Sequence, residues 1–321
     1  ANRNRETLMS IHPQVQAVLD ALAKLGLPAP QSVTPAQARL NFKQSRSVFL
    51  PQAEAVGAIA DFSIAGPGGA IPLRLYRPKG SAAGAPLPAL VFFHGGGWVL
   101  GDIETHDPLC RLMANRSGCA VVSVDYRLAP EHKFPAAVDD AVAVTRYLAA
   151  QGEALGIDGS RLALGGDSAG GNLATVVALT LRDAGGPPLR LQLMLYPATD
   201  FAMDTTSHSE FANGYMLTRE RMQSFADSYL RAQKDASDWR ASPLQAKDLS
   251  RLPPALIMTA SHDPLRDEGK AYADRLNAAG VAASYRCYEG MIHGFMTMSG
   301  AVDAAGGAIG DAASAIKRAL A

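Results

Sequence analysis

A serine held between small residues is the first feature of this chain with chemistry attached. Gly166-Asp167-Ser168-Ala169-Gly170 follows an apolar run at Leu162–Leu164 and opens a helix-like stretch at Ala169. A strand–turn–helix context of this kind lifts a serine hydroxyl above a sheet on a strained turn, and the glycines on either side keep the turn free of clashes. The hydroxyl then sits at a helix N-terminus, whose dipole favours negative charge. Given a base to take its proton, such a serine is a nucleophile for acyl transfer. Asp167 adjoins it but is expected to point away from any base and to support the local loop.

Acyl transfer places negative charge on the carbonyl oxygen of the tetrahedral species, so backbone N–H groups must reach that oxygen unobstructed. His94-Gly95-Gly96-Gly97-Trp98 follows the apolar run Ala89–Phe93 and offers them. The expected donors are the N–H groups of Gly95 and Gly96, with Ala169 as the third; His94 is expected to organise the loop. Trp98 is a candidate for the substrate pocket, with loop packing as the alternative.

In sites built on this kind of turn the partners follow in the order serine, acid, histidine. Of seven histidines, His262 and His293 lie far enough along the chain. His262 directly precedes Asp263, too close to receive its side chain in triad geometry. His293, just after the last apolar run, is the expected general base. The acid should end the preceding strand, which selects Asp263. Asp200 is the competitor, and Asp267 and Glu268 read as ordinary acidic decoration of a helix start. A histidine base must be neutral, so activity should fall on acidification. His12, His106, His132 and His208 show no metal-ligand spacing and read as surface or capping residues. With no phosphate-binding glycine loop either, no cofactor and no metal are expected.

These residues need a scaffold. Apolar or β-branched runs at Ile71–Tyr76, Ala89–Phe93, Ala120–Val124, Leu162–Leu164, Leu191–Tyr196, Ala255–Thr259 and Ala283–Tyr288, with an edge strand at Asp61–Ile64, alternate in the later chain with helical stretches at Pro135–Ala150, Ala169–Arg182 and Asp267–Ala279. That pattern predicts a mostly parallel sheet of about eight strands covered on both faces, antiparallel at its N-terminal edge. Two helices precede the first strand: Ile11–Leu25 with a 3.6 repeat, and one opened by Thr34-Pro35 and running to Val48. The stretch from Tyr196 to Ala255 is too long for a simple connection and contains a helical segment at Thr218–Ala232. The Ala/Gly-rich end after Gly300 still spaces Ile309, Ile316 and Leu320 as a helix would.

Composition bounds the rest. The chain has 321 residues, 48% hydrophobic and 19% charged, with 30 basic and 30 acidic side chains. A balanced charge without basic runs gives nucleic acid or anionic lipid nothing to hold. No apolar stretch approaches the roughly 20 residues that a membrane span needs. Cys110, Cys119 and Cys287 make no disulfide framework and read as buried reduced thiols, which suits the cytoplasm.

Taken together, His94-Gly95-Gly96-Gly97-Trp98, Asp125-Tyr126-Arg127-Leu128-Ala129-Pro130-Glu131-His132, Gly166-Asp167-Ser168-Ala169-Gly170, Asp263-Pro264-Leu265-Arg266-Asp267-Glu268-Gly269 and His293-Gly294-Phe295 resemble the hormone-sensitive-lipase-like (bacterial family IV) carboxylesterases of the α/β-hydrolase superfamily. The resemblance implies an α/β-hydrolase fold with a helical cap: residues 1–52 as an N-terminal cap segment, and 53–321 as the catalytic domain with a cap insertion around 201–240. It implies Ser168, Asp263 and His293 as triad, and Gly95, Gly96 and Ala169 as oxyanion hole. It further implies short- to medium-chain esters as substrates, the Asp-Tyr-Arg segment as a structural buttress, and no cofactor. A small-molecule ester is the expected partner, and a homodimer is compatible with the pattern. Two rivals share the fold: an amidase or deacetylase using the same machinery, and a non-catalytic small-molecule receptor, against which the presence of His293 argues.

Overall fold

The computed structural model describes residues 10–82 and 85–321, so the first nine residues of the expected 1–52 segment lie outside the described residues. Helices α1 (Pro13–Lys24) and α2 (Pro35–Arg46) come first, each with proline in its opening turn. The His12 imidazole accepts from Gln14 N and caps α1; Thr34 Oγ1 accepts from Gln37 N and caps α2. The expected capping role of His12 therefore stands.

One sheet follows, built from β1 (Ala58–Gly66), β2 (Gly69–Arg77), β3 (Leu87–Phe93), β4 (Ala120–Val124), β5 (Ile157–Asp167), β6 (Leu189–Leu195), β7 (Ala255–His262) and β8 (Ala283–Ile292). Their spatial order is β1-β2-β4-β3-β5-β6-β7-β8. β2 pairs antiparallel with both β1 and β4, and every pairing from β4 to β8 is parallel. The chain order reverses across the β3–β5 pair, where β3 and β4 lie on one side and β5 to β8 on the other. In open α/β sheets the carboxyl ends of strands at such a switch point are where ligands bind.

Side chains alternate along β3: Ala89, Val91 and Phe93 enter one core, Leu90 and Phe92 the other. The first core is closed by α4 (Ala136–Gln151), α5 (Ala169–Asp183) and α8 (Arg266–Ala278), through Val144, Leu173, Val177 and Leu276. The second is closed by α1, α3 (Ile103–Ser117) and α9 (Asp303–Leu320), through Val18, Met113, Ile309 and Ile316. Burial on both faces explains why the central strands read as unbroken apolar runs.

Helix α3 carries no clean amphipathic repeat and goes beyond the sequence expectation. Thr105, His106 and Asp107 of its first turns are buried although polar, and Pro108 lies inside it. What defines it is its ends: Asp102 and Thr105 form a capping box, and Gly118 terminates it at φ 73°. The segment between β6 and β7 holds α6 (Thr206–Glu210) and α7 (Arg219–Tyr229), the latter capped by Thr218. No helix of the described residues is long and apolar enough to cross a membrane.

Candidate active site

Ser168 sits between the last residue of β5 and the first of α5, at φ 56° and ψ −117°. A non-glycine residue there costs of order 1–3 kcal/mol and persists only where its surroundings fix it. The surroundings are explicit. Ser168 N donates to Leu195 O at 2.8 Å, and a Cβ at Gly166 or Gly170 would collide with Phe93 O and with the turn itself. The two glycines let β3 pass directly beneath the turn, and the hydroxyl is presented above the sheet.

His293 follows the end of β8. Its Nε2 lies 2.9 Å from Ser168 Oγ and its Nδ1 2.8 Å from Asp263 Oδ2. Asp263, immediately after β7, is fully buried, and its other oxygen accepts from Leu265 N at 2.9 Å. The imidazole and the Tyr196 ring pack edge-to-face with their centroids 5.0 Å apart, which limits rotation of the imidazole. Three strands therefore deliver these three side chains to one point. His262 instead bonds the hydroxyl of its neighbour Ser261 at 2.9 Å, and Asp200 is tied to Gln245 at 2.7 Å rather than to His293.

The glycine loop departs from expectation at one position. Gly95 N donates to Asp167 Oδ1 at 2.7 Å, so it is not available to a substrate oxyanion. Asp167 is also 3.0 Å from His106 Nε2, which makes His106 a fully buried partner rather than a surface or capping residue. Burial opposes the charge on Asp167, but His106, Arg46 and the Gly95 N–H outweigh it and hold its carboxyl below the ordinary value. Gly96 and Gly97 both line the cavity above Ser168, at φ 127° and 61°. A Cβ on Gly96 would strike Leu100 O, and one on Gly97 would strike the Phe225 ring. Ala169, as the first residue of α5, has an N–H with no intrahelical acceptor. Of the expected donors, Gly95 is thus taken by Asp167, whereas Gly96 and Ala169 remain, with Gly97 beside them in the cavity lining.

The loop is braced from below. His94 is fully buried, stacked on Tyr126 at 4.4 Å, with Nδ1 2.9 Å from Gly95 O; Tyr126 Oη donates to His94 O at 2.7 Å. Arg127 is anchored by Asp140 at 2.8 Å. The Asp125–Glu131 segment therefore does buttress the loop.

A cavity of about 480 Å³ opens on Ser168 and His293, a size suited to a small molecule. Its walls come from α1, α2 and the turn between them, and from residues 201–225. Trp98 does line it, though it is only 4% exposed; its ring stacks on Tyr229 at 4.4 Å and on Phe201 at 5.2 Å. His208 and Glu268 form a second buried pair beside it, 3.2 Å apart, so His208 is not the surface or capping residue expected; Glu268 does sit in the first turn of α8, as expected, but fully buried. Glu268 Oε1 accepts from Thr199 N at 2.5 Å, and burial raises its pKa. Cys110 and Cys119 are buried, and Cys287 is half-buried, all as free thiols.

A family model described as the alpha/beta hydrolase fold matches residues 90–297, which span the glycine loop, the serine turn, Asp263 and His293. The chain belongs to the α/β-hydrolase fold family. It is 50% identical over 247 residues to the carboxylic ester hydrolase LipN of Mycobacterium tuberculosis, covering 75% of this chain and 65% of LipN. It is 39% identical over 305 residues to the ethyl acetate hydrolase of Pseudomonas putida, covering 92% of this chain and 95% of that one. Among solved structures, the ester-hydrolase EH1AB1 from the metagenome of Lake Arreo superposes with a TM-score of 0.92 at 43% identity, over 96% of this chain and 98% of that one. Within its fold family the chain is a member of the hormone-sensitive-lipase-like carboxylesterases, enzymes that hydrolyse carboxylic esters.

Proposed function

We propose that this chain is a serine carboxylesterase acting on short- to medium-chain esters through a covalent acyl-enzyme on Ser168. The observation that carries this is the single imidazole bridging Ser168 Oγ and Asp263 Oδ2, at 2.9 and 2.8 Å. His293 takes the serine proton as Oγ attacks the ester carbonyl; Asp263 holds the tautomer and stabilises the imidazolium. The N–H groups of Gly96, Gly97 and Ala169 receive the oxyanion. Collapse expels the alcohol with a proton from His293, and water activated by the same histidine releases the acid. Helices α1 and α2 and the insertion around 201–240 act as a cap over the cavity, whose volume favours short chains. Three free thiols support a cytoplasmic location.

The test is hydrolysis of p-nitrophenyl esters from acetate to palmitate by the wild type and Ser168→Ala. Turnover should be greatest on the shorter chains and fall by roughly 10⁴-fold or more in the variant. Equal turnover in the two proteins, or a preference for palmitate, would contradict the mechanism or the chain-length assignment respectively.

A further inference from the structure

Two arginines line the same cavity as Ser168 and His293 without a carboxylate partner. Arg46, closing α2, is 6% exposed; its Nη1 donates to Thr297 Oγ1 at 2.6 Å, and its Nε meets no acceptor. The rings of Phe42 and Phe49 lie 4.3 and 5.5 Å from its guanidinium carbon and hold the group in place. Arg221, on α7, donates through Nη1 to Met216 O at 2.7 Å, and its Nε is likewise buried without a partner. Of the carboxylates in the same lining, Asp167 attracts Arg46 through space but bonds Gly95 and His106 instead, Asp200 bonds Gln245 and Ala202, and Glu220 stands on the exposed rim. Among the described residues neither arginine forms a salt bridge.

A guanidinium remains charged and presents five donors in a fixed plane. Burying one without a carboxylate is costly, and a second cation in the same cavity adds repulsion. Burial lowers the pKa of both, and Arg46 lowers that of Arg221 further. A deficit of negative charge kept at the mouth of a reactive serine calls for an anion supplied by the ligand. The rest of the lining is largely apolar, with Leu22, Met203 and Phe225 among it, and suits a methylene chain between the ester and that anion.

We infer that the cavity recognises a carboxylate on its substrate, so that the preferred esters carry an anionic group remote from the scissile bond, held by Arg46 and Arg221. The inference rests on the cavity being the ester site. A planar carboxylate matches the guanidinium fork, and pairing with two arginines removes both deficits at once. The carboxylate can lie in the acyl half, as in a monoester of a dicarboxylic acid, or in the alcohol half, as in an acylated hydroxy acid.

Two matched pairs separate these sources: monoethyl adipate against ethyl hexanoate, and 6-acetoxyhexanoate against hexyl acetate, followed by pH-stat at pH 8 in wild type, Arg46→Met and Arg221→Met. The charged-to-neutral ratio of kcat/KM should fall at least tenfold in both variants for one of the pairs, through KM, and that pair names the half. Ratios within threefold of wild type for both pairs would overturn the inference. Should Arg46→Met fail to fold, Arg221→Met and direct binding decide. By calorimetry, hexanoate should bind the wild type at least tenfold tighter than hexanamide, and Arg221→Met should lose that preference; no preference in the wild type would overturn the anion site. Hexanoate preference in a protein that cleaves none of the four esters would sustain the anion site and overturn the esterase mechanism instead.

Discussion

Ser168, His293 and Asp263 come from three strand ends, yet their side chains meet within 2.9 Å. Their residue types and order were legible because acyl transfer demands a nucleophile, a base and an acid in defined places. The one-residue error at the glycine loop has a physical cause: three consecutive glycines look alike in sequence, and only the Asp167 carboxylate decides which N–H is taken. His106 is hidden for a similar reason, since nothing in its neighbours announces a buried carboxylate 61 positions down the chain. His94 yields a prediction at this scale. Burial, aided by His106, pushes its pKa down from 6.5 to about 4. The unfolded chain takes up that proton near pH 6.5 and the folded chain only near 4, so its contribution is complete above 6.5 and lost as pH falls towards 4, roughly 3 kcal/mol in all. Asp125, 4.0 Å away, opposes this, because burial raises it to about 6; at 36% exposure its effect is screened and smaller. Urea midpoints should therefore drop between pH 7 and 4.5, and drop less in His94→Gln. Parallel losses in the two proteins would assign acid sensitivity to other groups.

At the scale of elements, every expected strand is present; the central ones announce themselves as apolar runs because both faces are buried, whereas β1 and β8 are edge strands exposed over much of their length. Helix α3 was hidden by the polar first turn it uses to hold His106 and Asp107 inside. The segments 1–52 and around 201–240 stand out in the sequence as additions to the strand–helix alternation, but which of their side chains wall the cavity depends on packing that no motif records. Trp98 shows this packing: its ring lies 4.4 Å from Tyr229 at an interplanar angle of 7°, tying the glycine loop to α7. Phe134 adds an edge contact to the same tyrosine at 5.7 Å. Tyr229→Ala should cost about 3 kcal/mol in urea unfolding and lower kcat/KM for p-nitrophenyl acetate by loosening the loop that carries Gly96 and Gly97. A fully destabilised variant with unchanged kcat/KM under native conditions would uncouple the loop from α7.

Across the whole molecule, one sheet divides two apolar cores and brings the carboxyl ends of β3, β5, β7 and β8 to a common edge, where the cavity sits. Strand order explains why residues as far apart in sequence as Gly96, Ser168 and His293 share a site, and why the chain's motifs sufficed to place it. Arg46 and Arg221 lay outside that logic. An arginine on an amphipathic helix normally reads as a solvated charge, and only the closure of two helical segments over the sheet turns these two inward. The proposed esterase mechanism requires above all a covalent bond at Ser168. Diethyl p-nitrophenyl phosphate, which phosphorylates activated serines, followed by peptide mass spectrometry, tests this directly. A single diethylphosphoryl adduct on the peptide containing Ser168, loss of esterase activity in proportion, and no adduct in Ser168→Ala are the predicted result. An adduct on another residue, or full activity after complete modification of Ser168, would contradict the mechanism.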